Sequence, residues 1–347
     1  AVSILLTIVG VIFCRPTLIL LATPGNIMTD AAVYLDIYVY GLFFLFLYNI
    51  CTGIFSALGD SKTPFYFLVA SSIANVGLDL LFVAVFHWGV AGAAIATVFS
   101  QALSAYLCYV YMMRKFDILQ GRVEEHAMSR KHVATLLKIG VPMGLQFSIT
   151  AIGSIMLQSA NNALGTSCVA AFTAAMRVKM FFICPCESLG IAMATFTGQN
   201  YGAGKPKRIW EGVKSSMLMS MIYVVFTCAV LLLFSEKLAL LFVDSGATDI
   251  IRNTALFLHV TAYFMPMLAL LCVLRYTIQG AGYTNFAMLS GVMEMFARAG
   301  VSVWAVPALG YIAVCFGDST AWVAADLFLV PAFVYVYRRL KRECGVI

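Results

Sequence analysis

The chain has 347 residues, 62% hydrophobic and 11% charged, with a formal net charge of +6 and a mean hydropathy of +0.93. A soluble domain carries about 25% charged residues, so a single soluble core is excluded, and the apolar residues instead fall in runs of about 20, long enough to cross a bilayer. The positive balance is no pointer to nucleic acid, because multi-span proteins concentrate Lys and Arg in their cytoplasmic loops.

Ten spans follow from apolar length and polar punctuation, at roughly 1–22, 32–57, 63–86, 91–113, 135–162, 168–197, 212–234, 253–279, 283–304 and 311–337. Helices are the only state expected for them, since hydrocarbon offers backbone groups no water to bond. The chain opens inside the apolar stretch "AVSILLTIVGVIF" with no initiator Met, which predicts that N-terminal sequence is missing. Alternating the spans puts Lys62, the 114–138 segment, the 202–214 loop and the C-terminal tail on one side. That side holds fifteen of the 22 Lys and Arg and is therefore expected to be cytoplasmic. The polar stretch 118–138 reads as a connector between halves, with Ile118, Leu119, Val123, Met128, Val133, Leu136 and Leu137 spaced loosely enough for an interfacial helix.

A weak internal repeat supports two halves. "YNICTGIFSALGDSKTPF" (48–65) resembles "CVLRYTIQGAGYTNFAM" (272–288) when Gly59 is laid on Gly282. The second half starts with two spans that have no counterpart in the first, so a symmetric protein would have twelve helices. The expected domains are an incomplete N-terminal lobe over 1–113, a connector over 114–134, and a C-terminal lobe with basic tail over 135–347.

The run "TFTGQNYGAGKPKRI" (195–209) brings glycines up to Lys205 as a phosphate-binding loop does. Five residues separate Gly198 from Gly204 where that loop needs four, and Pro206 stands where Ser or Thr would hold magnesium. It reads as a tight turn with basic residues at headgroup level, so no ATP is expected. The ten cysteines, Cys184 and Cys186 among them, show neither zinc nor redox spacing. No metal site or cofactor is predicted.

Ionisable groups at membrane depth are costly unless paired, and each is a functional candidate. Asn75 and Asp79 share a helix face, and Thr97 lies at a similar depth on the next helix. Together they form an oxygen-rich set suited to a hard cation or a proton; the alternative is an Asn–Asp pair that bonds neighbouring helices. Glu294 and Arg298 are four apart and read as an internal ion pair or a proton-sensitive switch. In the repeat, Arg298 falls on Asn75 and Ser302 on Asp79. Glu187 follows Pro185 near mid-span, either facing a cavity or paired with Arg177 or Lys179, and Lys179 is otherwise expected to snorkel. Arg275 and Gln279 are headgroup or helix-contact candidates, and Asp36 is a solvated interface residue. Gln146, Asn161, Asn162, Met143 and Met156 suggest a cavity lining or a packed Met-rich helix.

"TGQNYGAGKPKRI", "GIFSALGDSKTP" (53–64), "NVGLDLLF" (75–82), "GVAGAAIATV" (89–98), "GVPMGLQFSI" (140–149) and "GVMEMFARAG" (291–300) jointly resemble the multidrug and toxic compound extrusion (MATE) family along essentially the whole chain. The resemblance implies an all-α bundle of two pseudo-symmetric lobes, of which this chain holds the third to twelfth helices. It also implies a cation site built by an Asn and an Asp on the fifth helix, a Thr on the sixth and an acid on the first. Asn75, Asp79 and Thr97 match the first three.

The expected function is antiport. Na⁺ or H⁺ enters as amphipathic or cationic organic compounds leave across the cytoplasmic membrane, and the protein is expected to be a monomer. A flippase for a lipid-linked saccharide is the alternative of the same fold. A membrane-embedded enzyme is disfavoured, because His87, His126, His132 and His259 lie apart and no nucleophile constellation is visible.

Overall fold

Helices account for all regular structure among the described residues of the computed structural model, which describes residues 2–20, 25, 27–120 and 129–345. The N-terminal unit contains α1 (Val2–Leu20), α2 (Met28–Tyr40), α3 (Leu42–Ala57), α4 (Lys62–Asp79) and α5 (Gly89–Lys115). The C-terminal unit contains α6 (Arg130–Asn162), α7 (Thr166–Gly202), α8 (Pro206–Ala239), α9 (Thr248–Gly280), α10 (Thr284–Gly300), α11 (Val306–Leu309) and α12 (Tyr311–Glu343). The two compact units are Ala1–Ala127 and Met128–Ile347.

Among the described residues, eight helices are long and apolar enough to cross a membrane, or nine if the bent pair α2 and α3 counts as one. The shorter apolar helix Ser3–Ile19 occupies the remaining predicted span. The span predicted as continuous over 32–57 bends by 45° between α2 and α3. Gly41 sits at the bend, where a Cβ would come within 2.6 Å of Val98 on α5. Its missing side chain lets the two helices approach there.

The interfacial helix predicted over 118–138 is not what forms at its described ends. Asp117–Gln120 makes one 3₁₀ turn, while Val133, Leu136 and Leu137 belong to the first turns of α6. Val123, Met128 and His126 lie outside the described residues.

Three turns share one construction. At Gly59, Gly204 and Gly282 the backbone is left-handed, with φ of +86°, +66° and +85°. In each, the following amide reaches back five residues (Asp60 to Phe55, Lys205 to Asn200, Tyr283 to Ile278), while the glycine amide bonds the carbonyl three residues back. That is the Schellman stop, which satisfies the last carbonyls of a helix and favours glycine at the left-handed position. Gly204 thus closes α7 and Pro206 opens α8 at its first turn. The glycine-rich run is a helix–turn–helix.

Asp60 fastens the first of these turns. It accepts the Thr63 amide at 3.1 Å, the Thr63 hydroxyl at 2.6 Å and the Lys115 ammonium at 2.6 Å. The Lys115 ammonium and the Thr63 hydroxyl hold its carboxyl down at about 2. A depressed folded value means the stabilisation is complete above the ordinary carboxylate pKa of about 3.9 and disappears as pH falls through about 2. Carbon-13 NMR of labelled Asp60 is expected to show that low midpoint, rising toward about 3.9 in Lys115→Met.

The repeat is visible in backbone detail. α4 runs into a π-helical segment, Leu80–Val85, and α10 into another, Val301–Ala305. Positive-φ glycines then open the following long helices, Gly89 at +56° beginning α5 and Gly310 at +60° standing just before α12, after the short α11.

In the C-terminal unit α9 is central, packed against α7, α8 and α12, while α10 packs against α6 and α12. Its buried face carries Met265, Ala269, Val273 and Ile278, which meet Trp322, Leu329 and Phe333 of α12. Gly153 and Gly291 bring α6 and α10 close together: a Cβ at 153 would lie 3.0 Å from Met295 Cα, and one at 291 would lie 3.1 Å from Gln146. Pro266 has no amide for the Ala262 carbonyl, and the Cys228 thiol donates to that oxygen at 3.0 Å instead. Leu218, Ile222, Val225, Phe226 and Leu233 expose an apolar stripe along α8, as a lipid-facing helix should.

Candidate cation site and C-terminal cavity

The first candidate set lies in the N-terminal unit, where α4 meets its π segment. Asn75 and Asp79 are one turn apart, and both are half-buried. Asn75 Nδ2 and Asp79 Oδ1 are buried and have no hydrogen-bond partner. Thr97 on α5 is also half-buried, and its hydroxyl donates to its own helix at Ala93 O, 3.0 Å away. Among the described residues no hydrogen bond joins the three, and the alternative, an Asn–Asp pair bonding neighbouring helices, is not formed. π segments leave backbone groups off the regular ladder and recur at functional positions. A carboxylate oxygen left without a partner suits a proton or a small cation, which would supply what the protein does not.

The second set lies in the C-terminal unit, around a cavity of about 490 Å³ between α6, α7, α9, α10 and α12. Its wall combines Phe147, Met176, Met180, Tyr276 and Trp322 with Gln146, Thr150, Glu187 and five other charged groups. Those five form one chain across four helices. Lys179 donates to Asp318, Asp318 accepts Arg298 Nε at 2.9 Å, Arg298 reaches Glu294 at 3.3 Å, and Glu294 accepts Arg275. Arg275 Nε also donates to Ser290 Oγ at 3.1 Å. All five are buried, and the signs alternate from Lys179 to Arg275. Such a chain survives burial only because each acid lies between two cations. Glu187 is exposed on the cavity wall and takes part in no ion pair or hydrogen bond among the described residues.

Several sequence expectations are corrected here. Lys179 does not snorkel; it is 4% exposed and bound to Asp318. Glu187 is paired with neither Lys179 nor Arg177, and the Arg177 guanidinium lies 5.9 Å from the Phe242 ring. The Glu294–Arg298 pair forms, but as the middle of the longer chain. Of the two readings of Arg275 and Gln279, headgroup or helix contact, burial leaves the second: Arg275 bonds α10 and Gln279 donates to Gln146 of α6 at 2.6 Å. Of the residues expected in a cavity, Gln146 and Glu187 line this one while Met143 and Asn161 do not. Asn161 is wholly buried near the α6–α7 turn, its amide 3.5 Å from Cys168 O.

Asp318 escaped sequence reasoning. Its signal is an acid in the apolar stretch "CFGDSTAWVAADLF" (315–328), which by the same depth rule needed a partner. The repeat points to it as well. With Gly59 on Gly282, Arg298 takes the place of Asn75; with Gly89 on Gly310, Asp318 takes the place of Thr97. In those two registers the bonded Arg298–Asp318 pair falls at the positions of Asn75 and Thr97.

The MatE family profile matches residues 1–81 and 142–304, well over half of the chain. Similar curated proteins include the probable multidrug resistance protein YpnP of Bacillus subtilis (strain 168), 29% identical over 76% of this chain and 58% of its own length. A FAD transporter of Shewanella oneidensis is 25% identical over 68% of this chain and 53% of its own. The chain therefore spans a little over half the length of these relatives. Among solved structures, MATE in the bent conformation superposes with a TM-score of 0.89 at 20% identity, covering 99% of this chain and 77% of that one. An outward-facing multidrug resistance MATE family transporter gives 0.87 at 21% identity, covering 98% and 77%.

Proposed function

The chain belongs to the MatE family, and on that premise we propose that the protein is a cation-coupled antiporter exporting amphipathic, often cationic, organic compounds. The supporting observation is the cavity wall, where aromatic and Met side chains surround the unpaired carboxylate of Glu187. Aromatic faces attract organic cations and thioethers adapt to varied shapes. The three cations of the wall are each held by Asp318 or Glu294, so Glu187 supplies the free charge. That favours positively charged substrates over anionic ones.

Coupling is assigned to Asp79, with Asn75 and Thr97 beside it and Na⁺ or H⁺ as the transported partner. The π segment that follows Asp79 directly leaves this helix irregular beside the carboxylate, so its packing can respond to the occupant. Binding shifts the protein between access states only so far as the cation prefers one of them. The protein works as a monomer in the cytoplasmic membrane, its basic loops inside.

Vesicles reconstituted with the complete protein test the substrate class. A lipophilic fluorescent cation is expected to move when a Na⁺ or H⁺ gradient is imposed, and Glu187→Gln to weaken its apparent affinity about tenfold, the worth of roughly 1.4 kcal/mol. A neutral analogue is expected to lose little. Equal losses for both would remove Glu187 from charge selection, and no gradient-driven movement of the cation would contradict the assignment.

A further inference from the structure

The C-terminal unit buries one more acid, which the ion chain leaves out. Asp326 on α12 is 5% exposed, and neither of its carboxylate oxygens has a hydrogen-bond partner. It sits in an apolar groove of about 330 Å³ walled by Met267, Leu270, Val323 and Leu327. The charged groups acting on it are Arg275 from α9 and Glu294 from α10. Among the described residues, no side chain of α6 or α8 hydrogen-bonds it, and the 301–309 segment contains no ionisable side chain. In the register that lays Gly89 on Gly310, its counterpart in the first unit is Ala105, a buried alanine. The fold itself therefore does not require an acid at this place.

Charge balance indicates what such an acid can do. The chain from Lys179 to Arg275 contains three cations and two anions, leaving one positive charge in excess. A buried carboxylate with no partner is costly and takes up a proton instead. If it ionised, the nearby cation able to receive it would be Arg275, now turned to Glu294 and Ser290. Glu294 would still keep Arg298 at 3.3 Å.

We propose that Asp326 is a proton-exchange site, protonated while Arg275 is bound to Glu294 and ionised when Arg275 turns to it. Deprotonation breaks the carboxyl O–H bond and releases the proton to water. The carboxylate left behind neutralises the excess charge of the chain. Because Arg275, Glu294 and Asp326 lie on α9, α10 and α12, the exchange ties proton occupancy to the packing of three helices. It stands independently of the Asp79 assignment, since protonation can be read without transport.

The test is pH-dependent infrared difference spectroscopy of the complete protein in lipid, following the carbonyl stretch of protonated carboxylic acids. Wild type and Asp79→Asn are expected to lose one such band as pH rises, and Asp326→Asn to lack it. Arg275→Gln is expected to move the midpoint up by at least about one pH unit, because the carboxylate loses its cation. Should Asp326→Asn fail to fold, Asp326→Glu decides, and its band is expected at a shifted frequency. The same band in Asp326→Asn, an unshifted band in Asp326→Glu, or an unmoved midpoint in Arg275→Gln would overturn the proposal.

Discussion

Asp318→Ala is expected to destabilise the C-terminal unit by about 3–5 kcal/mol, the scale of breaking a buried ion pair from one side. The loss comes from what the substitution leaves behind. Lys179 would keep no anion, and Arg298 only Glu294 at 3.3 Å. Removing the stranded charge as well should reverse much of the damage, so Asp318→Ala with Lys179→Met is expected to be more stable than Asp318→Ala alone. Thermal unfolding of the purified protein in detergent, with both single variants and the double, measures the coupling. A single variant within about 0.5 kcal/mol of wild type would mean that the chain of charges carries no structural load.

The opposite pattern is expected at Asp79. Asp79→Asn keeps the shape of the side chain and removes a charge that no ion pair compensates among the described residues. Stability should stay within about 1 kcal/mol of wild type or rise, as happens when a site strained for function is relaxed. Exchange stimulated by the coupling cation, in contrast, should be lost. Thr97→Ala retains the carboxylate and removes one neutral oxygen, so it should weaken the cation by about tenfold, on the order of one lost hydrogen-bond-like contact. Flux as a function of Na⁺ and of pH in reconstituted vesicles measures both. The two acids differ in the physics around them: Asp318 is held by two cations, and Asp79 by none.

Much of this architecture was legible in the sequence because a bilayer constrains it so strongly. Apolar length located the helices, and Gly59, Gly204 and Gly282 marked real helix ends because only glycine adopts their left-handed backbone without strain. Laying Gly59 on Gly282 paired two glycines that do both end a helix in the same left-handed turn. The break at Gly41 was not legible, since it depends on Val98 two helices away in the chain. The partners of Lys179 and Arg275 were hidden for the same reason. A sequence shows that an intramembrane charge needs a partner, but helix packing decides which acid comes within reach. Asp318 and Asp326 illustrate this: the same helix presents both, and only one of them lies between two cations.

Counterflow of the coupling ion itself is the most direct measurement. In vesicles holding the complete protein and an internal Na⁺- or pH-sensitive dye, adding a lipophilic cation to one side should move Na⁺ or protons the opposite way in wild type. Asp79→Asn, equally folded, should give no ion movement. Ion counterflow of undiminished size in Asp79→Asn would contradict the account.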